Sequence, residues 1–578
     1  MAETRRKRSF RQWTWSSFAR SDQLLIILSL LIGVIVGLTT VAFILLTGRL
    51  AARMYPPDSA AWRRVLVPTA GSLVSGYLLY RYFPNARGSG IPQAKFALFI
   101  RDGYISLRTV LGKFVCCAIS LASGIALGRE GPSVQIGAGI ASVIGRRFGL
   151  GPRQVKALVP VGCAAALAAA FNTPIAAVLF SLEEILGDFD APVLGSIVLS
   201  SATSWMVLHL LLGDQPLFHA PAYKLVNPME FGIYAILGVF GGLGSVAFVK
   251  LLLNLRLWFR RLPKWTVWFQ PAVGGLAVGA IALFVPQVLG VGYDYVDRVL
   301  GGDFPIKTVV MLGLLKMIAT PVCYSSGNAG GIFGPSLFIG AMIGGSVGGV
   351  AHSLFPAVTA SPGAYALVGM GAAFAGIVRT PMTSVIMIFE MTRDYSVIVP
   401  LMIANMISFV ISRVLQPEPI YEALALQEGV HLPTSESREE SMGVRVGEIM
   451  DREAKPLPPD TGVDRAKAFL GQTNVSSWPV GVAPCVDGVV TLEQVENADH
   501  VLTVRDLISG QGDYPRAHSD QQASYVLDRM RGEGIDTMAV VSRADIHELQ
   551  GVVTLSSILA SYGIQGKRAP VPEGADFD

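Results

Sequence analysis

The sequence reads GPSVQIGAGI at residues 131–140 and GPSLFIGAMI at residues 334–343, with seven of the ten positions identical. A second pair follows in the same order, because TPIAAVLFSLE at 173–183 returns as TPMTSVIMIFE at 380–390. The two pairs are separated by 203 and 207 residues. Similar spacing between separate motifs predicts an internal duplication.

A third, weaker pair supports the duplication and suggests its purpose. PNARGSG at 84–90 corresponds to PQVLGVG at 286–292, 202 residues later. Gly- and Pro-interrupted segments at matching places in two halves of a membrane domain are typical of a transporter site. The N-terminus of an interrupted helix offers backbone N–H groups and the positive end of the helix dipole. The motifs therefore predict a buried anion site, although Gly and Pro also allow helices to pack closely.

The composition indicates that most of the chain lies in a lipid bilayer. Of the 578 residues, 51% are hydrophobic and only 15% are charged, with a mean hydropathy of +0.50. Soluble domains carry about 25% charged residues. Apolar runs such as 24–46 and 231–253 reach the length of roughly 20 residues that a spanning helix needs. The net charge of +4 gives no case for nucleic acid, and the five cysteines lack metal or disulfide spacing.

The chain is predicted to have six segments. A cytoplasmic N-terminal segment is expected because basic residues precede the first apolar run. The polar stretch after the membrane domain is interpreted as a linker, and the Pro-rich, acidic end as disordered. The predicted segments are 1–23 (cytoplasmic), 24–428 (membrane transport domain), 429–443 (linker), 444–495 and 502–563 (two small α/β units), and 564–578 (tail).

The soluble part also repeats. GVVTL occurs at 488–492 and at 551–555, and each copy closes a unit that opens with a related segment, 444–450 or 502–508. Short apolar strands alternate with helical stretches, which predicts a pair of small α/β units.

Differences between the two membrane copies isolate candidate functional residues. Ser89 stands where the second copy has Val291. A serine hydroxyl at a helix N-terminus can donate a hydrogen bond to an anion, but it can equally serve as an ordinary N-cap. Glu130 stands where the second copy has Phe333. A carboxylate there would occupy the position that an anion prefers, so we interpret Glu130 as a plug that leaves when protonated rather than as a stabilising first-turn acid.

Two adjacent acids have different predicted duties. Glu183 has the counterpart Glu390, which indicates a shared structural duty such as capping or pairing. Glu184 has the counterpart Met391, which points to a role that only one copy needs, and a buried carboxylate suits proton transfer. Lys113 is a charge inside an apolar segment, where it either supplies positive potential to an anion path or extends its amine to the membrane surface.

The motifs GSGIP at 88–92, GREGP at 128–132 and GIFGP at 331–335, together with Tyr421 in PEPIYEAL, resemble those of the CLC family of chloride channels and chloride/proton antiporters. The resemblance spans residues 24–428, and the soluble part resembles a CBS-domain pair. It implies an all-α polytopic membrane domain with inverted repeats and re-entrant or broken helices, followed by an α/β CBS pair. It also implies a homodimer in a cell membrane, plasma or inner, with the N-terminus and the CBS pair in the cytoplasm.

The resemblance implies roles for particular residues. The central anion would lie between the hydroxyls of Ser89 and Tyr421 and the backbone N–H groups of Ile332 and Phe333. Glu130 would be the gating glutamate, and Glu184 the internal proton acceptor of the antiporters. The backbone of the neighbours of Glu130 would form an outer anion site; these neighbours are Arg129 and Gly131.

The predicted function is therefore chloride/proton exchange across a membrane. The alternative is a passive chloride channel of the same fold, gated by voltage or pH, and Glu184 favours the exchanger. An intramembrane protease is disfavoured because the seven histidines form no HExxH motif. A divalent-cation transporter with CBS domains is disfavoured because the repeated motifs offer N–H donors rather than acid-rich linings. We predict no enzymatic activity, no metal and no cofactor. In the soluble part, Gln494 and Ser557 stand near the places where nucleotide-binding CBS units usually have an Asp, which argues against nucleotide binding.

Overall fold

The computed structural model has two compact units, residues 1–432 and 433–578. Within residues 2–22 it describes only the backbone. The predicted tail, 564–578, and most of the predicted linker, 429–443, lie outside the described residues. The structure describes residues 2–56, 60–189, 192–214, 216–219, 226–430, 444–473, 475–509, 514–543 and 545–562.

The regular secondary structure described in the first unit is helical, apart from isolated bridge residues. Seven of its described helical stretches are long and apolar enough to cross a membrane, while others are short, as Gly and Pro interruptions predict. A π-helical turn at Ser181–Leu186 follows the seventh helix. The helices are α1 (Ala2–Met54), α2 (Arg63–Arg81), α3 (Ile91–Ile100), α4 (Leu107–Ala122), α5 (Glu130–Arg147), α6 (Pro152–Phe171), α7 (Pro174–Phe180), α8 (Leu194–Leu212), α9 (Glu230–Arg261), α10 (Gln270–Phe284), α11 (Tyr293–Leu300), α12 (Ile306–Ser325), α13 (Phe333–Leu354), α14 (Pro362–Val378), α15 (Pro381–Thr392), α16 (Ile398–Leu415) and α17 (Ile420–Gln427).

The first helix differs from the expected boundary after residue 23. Helix α1 runs without a break from Ala2 to Met54, so the basic segment and the first apolar run share one helix. The physical reason is that residues 1–32 contain neither Gly nor Pro. Nothing in the sequence therefore ends the helix before the apolar run begins.

The two halves of the membrane unit make matching contacts. Helices α5 and α6 approach so closely that a Cβ on Gly137 would lie 2.3 Å from the carbonyl oxygen of Gly162. Their counterparts α13 and α14 repeat this approach, with 2.4 Å from a Cβ on Gly340 to the carbonyl oxygen of Gly369. Small residues allow this packing in the absence of a hydrophobic driving force between helices in lipid.

An isolated backbone bridge joins the two halves at equivalent residues. The N–H of Gly128 donates to the carbonyl of Gly331, and the N–H of Gly331 donates to that of Gly128, both at 2.7 Å. An antiparallel pair of equivalent residues is unchanged by rotation about a two-fold axis, as in an isologous interface. The bridge therefore lies on the pseudo-two-fold axis that relates the copies.

The second unit contains two small sheets. Strands β1 (Ser477–Val480) and β2 (Gly488–Thr491) pair antiparallel. In the other sheet, β4 (Thr537–Val541) pairs with β3 (Arg516–Ala517) in parallel and with β5 (Leu549–Thr554) antiparallel. The helices of this unit are α18 (Val446–Ile449), α19 (Val463–Thr473), α20 (Leu492–Glu496), α21 (Val504–Ile508), α22 (Ala523–Glu533) and α23 (Leu555–Ser561).

The opening segments of the two soluble units are exchanged, in contrast to the predicted boundaries 444–495 and 502–563. Val446, from the opening segment at 444–450, is buried among residues of the predicted segment 502–563 such as Val526. Val504, from the opening segment at 502–508, is buried among residues of the predicted segment 444–495 such as Val463. Each opening segment is too short to bury its apolar side chains within its own unit, so it packs against the neighbouring one.

Candidate functional site

Ser89 lies in the turn that begins α3. Its two glycine neighbours have φ angles of +93° and +110°, a region that side chains rarely adopt. Gly90, not Ser89, is the N-cap of α3, and its N–H donates to Oε1 of Gln93 at 2.8 Å. The hydroxyl of Ser89 is buried and has no hydrogen-bond partner among the described residues. The capping interpretation of Ser89 is therefore wrong, and its hydroxyl remains available to a ligand.

Lys113 holds this turn by hydrogen bonds to its backbone carbonyls. Its ammonium group is buried and donates to the carbonyls of Ala86, at 3.1 Å, and Gly88, at 2.5 Å. The side chain does not extend to the membrane surface, so that alternative is wrong. Lys316, the counterpart in the second copy, makes the same pair of contacts before α11; they reach the carbonyls of Val288 and Gly290 at 3.0 Å and 2.5 Å.

Glu130 occupies the first position of α5 and is completely buried. Oε1 accepts a hydrogen bond from the hydroxyl of Tyr293 and lies 3.9 Å from Nε of Arg129. Oε2 has no hydrogen-bond partner among the described residues. A Cβ on Gly334 would lie 3.1 Å from Oε2, so the carboxyl group of Glu130 reaches the beginning of α13. An acid in this position lies where the N-terminal ends of two helices converge.

The beginning of α13 holds the next predicted ligands. Ile332 is its N-cap and Phe333 its first residue, and both are buried. The first N–H groups of a helix have no partner within the helix itself. The ring of Phe333 is fixed by three other aromatic rings at centroid distances of 4.3 to 5.6 Å; they belong to Phe171, Phe180 and Phe374.

The three motif loops meet at one place. A Cβ on Gly131 would lie 3.1 Å from the hydroxyl oxygen of Ser89 and 3.3 Å from Cα of Gly331. The GSGIP, GREGP and GIFGP loops are therefore in direct contact. Tyr421 is the second residue of α17, which packs against α3 and α14. Its hydroxyl is buried and, like that of Ser89, has no partner among the described residues.

Glu183 and Glu390 cap helices reciprocally, which confirms the predicted structural duty. Glu183 accepts from the N–H groups of Met382 and Thr383, at 3.2 Å and 2.8 Å, at the start of α15. Glu390 accepts from those of Ile175 and Ala176, at 3.0 Å and 2.7 Å, at the start of α7. A carboxylate at a helix N-terminus satisfies free N–H groups and favours the dipole.

Glu184 has a different environment from its neighbour. It is buried, and Oε1 accepts from the ammonium of Lys95 at 2.9 Å. The same ammonium donates to Oε1 of Glu422 at 2.5 Å. Lys95 lies on α3, the helix that begins after Ser89, and Glu422 directly follows Tyr421 on α17. The structure therefore links the candidate proton group to two elements that carry candidate anion ligands.

Sequence reasoning missed four residues of this region. Lys316 has the same offset from Lys113 as the GPS motifs have from each other, so the repeat itself could have revealed it. Tyr293 stands where the first copy has Ile91, and the comparison of copies that selected Ser89 would also select it. The remaining two have weaker signals, because each is a single charge in an apolar helix; they are Lys95 and Glu422.

These features define a multi-spanning membrane protein whose duplicated helical domain gathers polar groups at helix N-termini in its interior. The family described as voltage gated chloride channel matches residues 71–413, more than half of the chain, and the chain belongs to this family.

Similar proteins carry transport names. The chain is 34% identical over 366 residues to a Ralstonia nicotianae protein that is described as a ClcB-like chloride channel protein. The match covers 62% of this chain and 85% of the relative. It is 30% identical over 419 residues to the H(+)/Cl(-) exchange transporter ClcA of Vibrio cholerae, covering 69% of this chain and 88% of the relative. The crystal structure of a slow cyanobacterial Cl-/H+ antiporter superposes with a TM-score of 0.65 at 26% identity, covering 70% of this chain and 97% of that chain.

Proposed function

We propose that the protein exchanges chloride for protons across a cell membrane. The proposal rests on one observation above the others. A buried carboxyl group, that of Glu130, lies where the N-termini of α5 and α13 meet, a location that favours an anion. The exchange activity in the names of the Vibrio relative and of the cyanobacterial antiporter supports the same conclusion.

The chloride path in this proposal uses hydroxyl and N–H donors. The central chloride is bound by the hydroxyls of Ser89 and Tyr421 and by the N–H groups of Ile332 and Phe333. Both hydroxyls are buried without a partner among the described residues, and an unsatisfied buried donor costs about 1–3 kcal/mol, which a bound anion offsets. The backbone from Arg129 to Gly131 provides the outer anion position.

Glu130 gates this path by competing with chloride. As a carboxylate it takes the place of an anion near the start of α13. As a neutral acid it loses its attraction to the helix N-termini and yields the place to chloride. Oε2, which has no partner among the described residues, is the oxygen that faces this place. Proton binding and chloride binding are thereby linked at a single carboxyl group.

Glu184 accepts the proton on the cytoplasmic side, and the two ions share a route only near Glu130. Chloride does not need Glu184, because its ligands are N–H and O–H donors. A buried carboxyl group that changes its charge is a functional group by default in a membrane interior. Its burial and its contact with Lys95 are consistent with this role.

Paired chloride and proton fluxes in liposomes test the proposal. With an outward chloride gradient, the wild-type protein should move protons against their own gradient. Glu130→Gln should transport chloride without protons, because the amide mimics the protonated acid and cannot release a proton. Glu184→Val should also stop proton movement while chloride movement continues. Glu183→Gln is the matched control: it should lower the yield of folded protein but keep the proton-to-chloride ratio.

Two results would contradict the proposal. If the wild type dissipates the chloride gradient without moving protons, the protein is a channel. If Glu184→Val keeps the normal ratio, the proton reaches Glu130 by another route.

The assembly and the soluble part complete the proposal. We infer a homodimer with one chloride path per subunit, inverted repeats in the membrane, and a cytoplasmic N-terminus and CBS pair. The soluble pair serves assembly rather than nucleotide binding. Both residues at the nucleotide positions are engaged locally, since Gln494 and Ser557 form capping boxes with Thr491 and Thr554.

A further inference from the structure

Three charged side chains are buried together beside the segments that carry Ser89 and Tyr421. The ammonium of Lys95 lies 2.9 Å from Oε1 of Glu184 and 2.5 Å from Oε1 of Glu422. None of the three side chains is more than 8% exposed. They come from α3, from the π-helical turn after α7 and from α17. The cluster therefore brings together three elements that are far apart in sequence.

The charges of this cluster do not balance when all three groups are ionised. One ammonium and two carboxylates leave a net charge of one negative unit. Among the described residues, no other Lys or Arg forms an ion pair with either carboxylate. The adjacent acid, Glu183, adds negative charge, but its oxygens are bound to the start of α15. An uncompensated buried charge is costly, so the cluster is neutral only when it holds one extra proton.

We propose that Lys95, Glu184 and Glu422 form one proton-holding site, in which Glu422 is a second carboxyl group that shares the transported proton with Glu184. This inference rests on the proposed exchange function and extends it. One proton from cytoplasmic water binds to either carboxylate, and the cluster becomes neutral. The same proton later leaves towards Glu130, and the cluster returns to its single negative charge. Lys95 keeps its own protons throughout and orients both acids.

The contacts of Glu422 favour this role over that of a passive ion-pair partner. Its Oε2 is buried and accepts no hydrogen bond among the described residues. A carboxylate needs donors on both oxygens, whereas a neutral carboxyl group is less costly to bury without them. Both acids contact the same nitrogen, so the proton can reside on either one while Lys95 stays in place. Glu422 also follows Tyr421 directly, so proton and chloride groups share the first turn of α17.

The charge balance predicts opposite effects for a single and a double substitution. Glu422→Gln leaves Lys95 and Glu184 as a neutral pair that needs no extra proton. Proton flux should then fall by about tenfold or more relative to chloride flux, since the pair resists protonation. Adding Lys95→Met to that variant leaves Glu184 as the only charge, and this site is again neutral only when protonated. The double variant should recover the proton-to-chloride ratio to within about threefold of the wild type.

A matched control is available directly after the same helix. Glu428 directly follows α17 and pairs with Arg256 at 2.6 Å instead of with Lys95. Glu428→Gln removes one carboxylate near the same helix but leaves the cluster intact, so the proton-to-chloride ratio should not change. Chloride flux in the same liposomes reports whether each variant is folded.

Each outcome of this experiment decides the inference. A Glu422→Gln variant with the wild-type ratio overturns it and leaves the proposed exchange function standing. If Glu422→Gln loses both fluxes, the double variant decides: recovery of both fluxes supports the charge balance, and failure to recover proton flux overturns it. A wild-type protein that moves no protons overturns the exchange function and the shared site together.

Discussion

Replacing Glu183 with alanine should destabilise the membrane unit without changing its transport ratio. The carboxylate accepts three hydrogen bonds at the start of α15, from the N–H of Met382 at 3.2 Å and from the N–H and hydroxyl of Thr383 at 2.8 Å and 2.7 Å. A hydrogen bond to a charged group contributes about 1.5–3 kcal/mol. The bond from Met382 is the longest of the three and lies at an exposed position, so it should contribute least. We therefore expect a loss of about 2–4 kcal/mol in the free energy of unfolding.

The free energy of unfolding can be measured in mixed micelles by titrating with sodium dodecyl sulfate and following tryptophan fluorescence. Glu390→Ala is the partner variant, because Glu390 makes the equivalent contacts at the start of α7. The two contacts join the same pair of segments, so the double variant should lose less than the sum of the single losses, by about 1 kcal/mol. A loss below about 0.5 kcal/mol, typical of an unimportant surface position, would refute the capping argument. Normal stability with altered proton coupling would assign Glu183 to transport instead.

Four further outcomes are expected. Ser89→Pro should lower the preference for chloride over nitrate in anion flux assays, because it removes the buried hydroxyl that we propose as a chloride ligand, and unchanged discrimination would remove Ser89 from the anion ligands. Tyr293→Phe should raise chloride flux at neutral pH by about threefold, because it removes one hydrogen bond from the gating carboxylate; equal flux would mean that this bond does not hold the gate. Lys113→Met should weaken chloride binding measured by calorimetry, since it frees the turn that carries Ser89, whereas Lys316→Met should not; equal losses would point to general destabilisation. Deleting residues 444–578 should preserve the proton-to-chloride ratio while lowering expression, and micromolar ATP binding to the full chain by calorimetry would contradict the assembly role.

The comparison of the two sequence copies selected three candidate residues, Ser89, Glu130 and Glu184, because duplicated segments serve as each other's reference; the other candidate ligands follow from the family resemblance. A residue that differs between copies, such as Ser89 or Glu130, is free of the shared structural demands. A residue retained in both, such as Glu183, serves the common fold, and its reciprocal capping with Glu390 confirms that interpretation. The sequence therefore predicts which acids serve the common fold, whereas the transport roles of Ser89 and Glu130 stay predictions.

The comparison of the two copies could not predict the cluster of Lys95, Glu184 and Glu422. Lys95 and Glu422 are 327 residues apart, and no periodicity links them. Helix α17 follows the second copy and has no counterpart whose difference could identify Glu422. Burial was also unknown, and an acid in an eight-residue helix is usually solvated. Only the folded structure reveals that the two charges share one nitrogen.

In the part after residue 443, the predicted boundaries of the two small units differ from the structure for another reason. The repeated GVVTL segments form strands in two separate small sheets, but sequence order assigned each opening segment to the unit that it precedes. Val446 and Val504 are instead buried in the opposite units. Sequence order is a poor guide when a segment is short and both neighbours offer similar apolar surfaces.

The reciprocal caps have a consequence for biosynthesis. When the ribosome has completed the first copy, the N–H groups of Ile175 and Ala176 still lack the acceptor that Glu390 will provide. The first copy therefore cannot reach its final state before the second has been inserted into the membrane. The exchanged segments impose the same order on the soluble part, since the core around Val463 awaits Val504. In both parts of the chain, segments that are synthesised first complete their contacts only with residues that are synthesised later. A ribosome that stalls between the two copies therefore leaves a fragment whose helix N-termini lack their carboxylate acceptors, and membrane quality control can recognise such a fragment.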